Sequence, residues 1–184
     1  VYGCQKRMRL VFAPWIIIEL LAMGADTVAL LSIAAHFCGS WFAPMIGRCL
    51  DKYGVRQSLM LESVSMAAIF LYTTWAVNGI VEGSLQGHAA AAAAFAAYVL
   101  VVLTDQFNAV HAMLMRTLSE TSADVMENLS FGLSVDHVLA VTVSGALGAV
   151  WKYVGAQWVF VIGAAVCAVH FGVALYLKKI PAVR

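Results

Sequence analysis

The stretch Gly47-Arg48-Cys49-Leu50-Asp51-Lys52-Tyr53-Gly54-Val55-Arg56-Gln57-Ser58-Leu59 is a short charged turn set between two long apolar runs. Its two glycines suit a tight reversal and close helix approach, because glycine adopts backbone conformations closed to other residues. Asp51 stands where a carboxylate can accept hydrogen bonds or meet the positive N-terminal end of a neighbouring helix. Bases gathered at a turn between apolar segments mark a chain that surfaces from a membrane.

The rest of the chain agrees with that reading. Hydrophobic residues make up 62% of it and charged residues only 11%, with a mean hydropathy of +0.87; soluble proteins carry about a quarter charged. Apolar runs of the roughly 20 residues needed to cross a bilayer recur at about 1–23, 27–47, 58–79, 89–114, 128–150 and 156–177. Helices are expected, since lipid offers no partner to backbone polar groups and the runs exceed the length of barrel strands. The expected fold is an all-α membrane protein, with 1–184 as one transmembrane unit. A net charge of +1 argues against a nucleic-acid partner. Cys4, Cys38, Cys49 and Cys167 lack metal-like spacing and read as small apolar packing residues, and no cofactor is expected. The chain begins at Val1 without a signal-peptide pattern, so a fragment of a longer protein is expected.

Charge sets the orientation. With the Gly47–Arg56 turn on the cytoplasmic side, span parity puts Arg48, Lys52, Arg56, Arg116, Lys178, Lys179 and Arg184 inside and only Lys152 outside. The bias obeys the positive-inside rule. The first segment is awkward, because only about 14 apolar residues separate Leu10 from Met23, roughly 21 Å of helix. Either Lys6, Arg7 and Arg9 flank a short span, or the chain starts partway through a helix that carries bases in its middle. Pro14 should kink that helix.

The turn resembles the loop signature of the major facilitator superfamily of transporters, which joins the second and third helices of a six-helix half. Gly47, Asp51, Lys52, Gly54, Arg56 and Leu59 match; Cys49 departs where leucine is usual, and Val55 where a second base is usual. Phe12-Ala13-Pro14-Trp15, Gly24-Ala25-Asp26 and Pro44 look like the seventh and eighth helices of such transporters, and Leu129 to Trp151 with Gly155 and Phe160 like the last two. The resemblance implies a C-terminal six-helix half with a truncated first helix, whose Gln5, Lys6 and Arg7 face a water-filled cavity. It also implies a missing N-terminal half of the same chain, a small-molecule substrate, and a gating role for the Gly47, Asp51, Lys52, Gly54 and Arg56 loop. A multi-pass protein of the plasma or inner membrane is then expected.

Ionisable residues inside spans are costly and default to functional candidates. Asp105, within Thr104-Asp105-Gln106-Phe107-Asn108, shares a helical face with Asn108, and His111 follows three residues on. It is either a protonatable or substrate-binding carboxylate or one satisfied by a neighbouring helix's base. Ser130, Ser134, His137, Ser144 and Gly148 form one polar stripe, with Asp136 beside it; His137 is either a proton carrier or an imidazole bonded to a facing hydroxyl. The transport and coupling candidates are therefore Asp105, His137, Asn108, Gln106, Asp136, Lys6 and Arg7. Ser32, His36 and Ser40 read as a packing seam, Glu62 as a structural partner of the charged turn, and Glu19, Asp26, Glu82, His88 and His170 as span-end residues.

The function expected is secondary active transport of a small solute by alternating access, with protons as a candidate coupling ion and no enzymatic activity. The alternatives are a membrane-embedded hydrolase and a non-transporting scaffold or receptor. Gly132-Leu133-Ser134 near His137 is a faint hydrolase cue, but neither Gly-x-Ser-x-Gly nor His-Glu-x-x-His occurs.

Overall fold

The computed structural model describes residues 2–177. Lys178, Lys179 and Arg184, counted above among the cytoplasmic bases, lie outside the described residues, as does Val1. The helical stretches are α1 (residues 2–20), α2 (25–53), α3 (55–81), α4 (Gly87–Leu118), α5 (Ser122–Tyr153) and α6 (Ala156–Tyr176). Among the described residues there is no strand.

α2 and α3 form one continuous helical stretch, Ala25–Val81, interrupted only at Gly54, whose φ of 80° and ψ of 172° are non-helical. The chain reverses there. Ser58 Oγ lies 4.0 Å from Cys49 Sγ, whereas nine residues of straight helix would separate them by about 13.5 Å. The expected ten-residue loop is thus helical on both sides of a one-residue break, because Arg48 and Lys52 favour helix and continue the turns past the apolar run. Gly54 alone supplies the positive φ; a Cβ at Gly47 would meet nothing within 4 Å, so close packing does not demand glycine there.

α5 likewise starts at Ser122, ahead of the expected span at 128. A capping box starts it: Asp124 N–H donates to Thr121 Oγ1 at 3.2 Å and Thr121 N–H to Asp124 Oδ2 at 2.8 Å, satisfying donors that a helix start leaves orphaned. α1 is irregular, with π-type turns at Met8–Phe12 and Ile16–Leu20 on either side of Pro14. Proline has no N–H to donate, so the regular hydrogen-bond ladder fails around it.

Two apolar clusters set the helix directions. One joins Ile46 at the end of α2 and Val55 and Leu59 at the start of α3 to Val110 late in α4 and Ala174 late in α6. The other joins Ile16 and Ile17 of α1 to Val77 late in α3, Ala94 early in α4, Trp151 late in α5 and Phe160 early in α6. Ends therefore alternate, and successive helices run antiparallel. α6 crosses α1 and α3 closely, since a Cβ on Gly163 would lie 2.9 Å from both Met8 Sδ and Phe70 Cδ2. Ala25–Val81, Gly87–Leu118, Ala123–Tyr153 and Ala156–Tyr176 are each long and apolar enough to cross a membrane, and the chain is an all-α protein of membrane character.

Candidate functional site

The bases of α1 point inward and meet acids on α4 and α5. Arg9 Nη1 lies 2.9 Å from Asp105 Oδ1 and donates to Thr104 Oγ1 at 2.8 Å. Thr104 passes its own proton to the Val101 carbonyl at 2.6 Å. α4 tightens into a 3-10 turn at Thr104–Phe107; such a turn inside a longer helix is a recurrent mark of functional segments. Arg7 Nη2 donates to Asp136 Oδ2 at 2.7 Å and to the Asp136 carbonyl at 3.5 Å, and Lys6 Nζ lies 3.3 Å from the same carboxylate oxygen. Pairing of this kind is what an apolar medium demands, because an uncompensated charge there is costly. The bases of the first segment are therefore compensated by acids of α4 and α5, and Asp105 has a neighbouring helix's base as its partner.

Beside these pairs a cleft of about 550 Å³ opens between α1, α4 and α5, with Lys6, Asn108, His111, Asn128 and Asp136 as polar lining. Leu129, Phe131 and Leu133 supply apolar wall. The cleft thus brings together Lys6, Asn108 and Asp136, three residues singled out by sequence, while Arg7 reaches the same Asp136 from the side. Gln106 is turned away and packs over Gly39 of α2, where a Cβ would stand 2.7 Å from its Nε2. His137 is exposed and does not join Asp105; neighbours in sequence point about 100° apart around a helix, and Asp136 takes the inward position.

In the turn, Arg56 Nη2 donates to the Leu175 carbonyl at 3.1 Å, satisfying an acceptor that the end of α6 leaves open. Asp51 and Lys52 are exposed. Asp51 makes no hydrogen bond or ion pair among the described residues. Glu62 does not reach the turn: it is buried and receives a hydrogen bond from His111 Nε2, 3.0 Å from Oε1 and 2.9 Å from Oε2. His170, expected to be a plain span-end residue, is buried against the same group, its ring stacked on His111 at 5.6 Å. Gln5 completes the neighbourhood, with Nε2 donating to Cys167 Sγ at 3.2 Å and lying 3.5 Å from His170 Nδ1. The one sequence cue to this cluster was an imidazole three residues beyond Cys167, on the same face of an otherwise apolar helix.

No protein family, curated protein or solved structure matches the chain. The fold and the paired charges define its class, an all-α membrane protein with a polar cleft among its helices.

Proposed function

We propose that the chain is the C-terminal six-helix half of a major facilitator superfamily secondary transporter, moving a small solute across the cell membrane by alternating access, with protons as the coupling ion. The observation that carries this is the cleft, where Lys6 of α1 meets Asn108, His111 and Asp136 of α4 and α5, two helices long and apolar enough to cross a membrane. A fixed cation and anion at the edge of a small apolar-walled cavity suit recognition of a polar solute, and charges retained in an apolar medium are typical of transport pathways.

A second feature supports the missing N-terminal half. Ser130, Ser134 and His137 are exposed along α5, and a polar stripe on a spanning helix belongs against protein or a water-filled cavity. The N-terminal half would cover it and enclose the cleft between the two halves, where transporters of this architecture bind their substrate. In this reading Asp51 and Lys52, exposed at the Gly54 turn, engage the other half and gate the cytoplasmic side.

The test uses the full-length protein in proteoliposomes with an imposed pH gradient and a panel of labelled sugars, amino acids and organic ions. At least one solute should accumulate, and Asp136→Asn should lower its uptake at least ~10-fold, the equivalent of about 1.4 kcal/mol. Uptake no greater than in protein-free vesicles for every solute would favour a non-transporting scaffold. Wild-type uptake by Asp136→Asn would remove the cleft from the pathway.

A further inference from the structure

Glu62, His111 and His170 arrive from three helices, yet each offers a ligand atom lying within 4.8 Å of the others'. Their depths agree. Glu62 lies eight residues beyond Gly54, His111 seven before the end of α4 and His170 six before the end of α6, so all three sit roughly 9–12 Å from the same end of the bundle. Glu62 is 1% exposed and His170 6%. The imidazoles stack at an interplanar angle of 22°, which sets the His170 ring alongside the one that bonds the carboxylate.

The hydrogen bonding leaves acceptor capacity unused. The single Nε2–H of His111 serves Glu62 Oε1, and Oε2, also buried and 2.9 Å from the same nitrogen, has no hydrogen-bond donor of its own. Gln5 Oε1 is buried beside His170 and has no donor either. Buried acceptors are almost always satisfied, so two oxygens without a donor of their own beside paired imidazoles leave room for a cation.

We infer that Glu62, His111 and His170 form a binding site for a divalent transition-metal cation such as zinc or cobalt. Two imidazole nitrogens and one carboxylate oxygen are a ligand set of such ions, the His111 proton moving from Nε2 to Nδ1 so that Nε2 offers its lone pair, whereas magnesium and calcium take oxygen alone. Ligands 2.0–2.1 Å from a tetrahedral centre stand about 3.3 Å apart, so drawing the three donors in requires movements of only ~0.8 Å each. A rotation of the Gln5 amide, or a water, supplies a fourth ligand. His111 also lines the cleft, which gives the ion a way in. This inference does not depend on transport.

The experiment uses full-length protein, purified in detergent and stripped of metal, titrated with zinc chloride by calorimetry and with cobalt chloride by visible absorption. One equivalent should bind, with d–d bands of a nitrogen- and oxygen-ligated cobalt ion. Glu62→Gln and His170→Gln should each weaken binding at least ~10-fold and abolish the bands. His88→Ala, which changes an exposed histidine at the start of α4, should alter neither, and size-exclusion profiles identify any variant that has unfolded. No binding by the wild type, or unchanged affinity in either folded variant, overturns the assignment.

Discussion

Breaking the Arg9–Asp105 pair is the most direct probe of the packing between α1 and α4. Asp105→Asn keeps shape and an acceptor oxygen but removes the charge facing Arg9 Nη1 at 2.9 Å. The Arg9 side chain is only 4% exposed, so its guanidinium cannot turn to solvent in exchange; Asp105, at 30%, is partly open. Separating a fully buried pair costs about 3–5 kcal/mol, and the partial exposure of the acid lowers the figure here to about 2 kcal/mol. Arg9→Gln should cost a similar amount, since it strands the carboxylate and also loses the hydrogen bond to Thr104. In the double variant neither charge is stranded, so the two losses should fall short of additivity by about 1–2 kcal/mol. The assay is reversible unfolding of the full-length protein in mixed micelles, run as a four-member mutant cycle. Additivity within ~0.5 kcal/mol would refute a direct pair and with it the inward placement of α1.

Two other outcomes follow from packing and topology. Gly163→Val should destabilise the same protein by about 1–3 kcal/mol through overpacking, because the new side chain would meet Met8 and Phe70; an unchanged unfolding midpoint would mean α6 does not approach them. In a background lacking the native cysteines, single cysteines at Gln57 and Ser119 should be shielded from an impermeant thiol reagent in intact cells while one at Ser84 reacts, and the reverse pattern would invert the orientation.

Some of the molecule could be read directly along the chain. That 27–47, 58–79, 89–114, 128–150 and 156–177 would be helical follows from run length and hydropathy, which are local and additive. Helix ends were less legible, because hydropathy senses contact with lipid rather than helicity. α2 runs on through Asp51 and Lys52 to Gly54, and α5 starts at its Thr121–Asp124 capping box, both in polar sequence. Pro14 signalled a disturbed first helix, although its π-type turns depend on what surrounds it.

The candidate site divides along the same line. That Lys6, Arg7, Asp105 and Asp136 need compensation is a consequence of composition alone, since charges in an apolar chain must find partners. Which acid serves which base is a matter of helix rotation and depth: Arg9 takes Asp105, while Lys6 and Arg7 share Asp136. The same rotation turns Asp136 inward and leaves His137 exposed. Glu62, His111, His170 and Gln5 are scattered through the chain, and no local pattern links them. By itself the sequence determined an all-helical membrane protein with a sharp turn at its charged motif, because burial in lipid acts residue by residue. Only the tertiary structure decided which polar groups share the cleft and which gather around Glu62, because those choices rest on contacts between helices far apart in the chain.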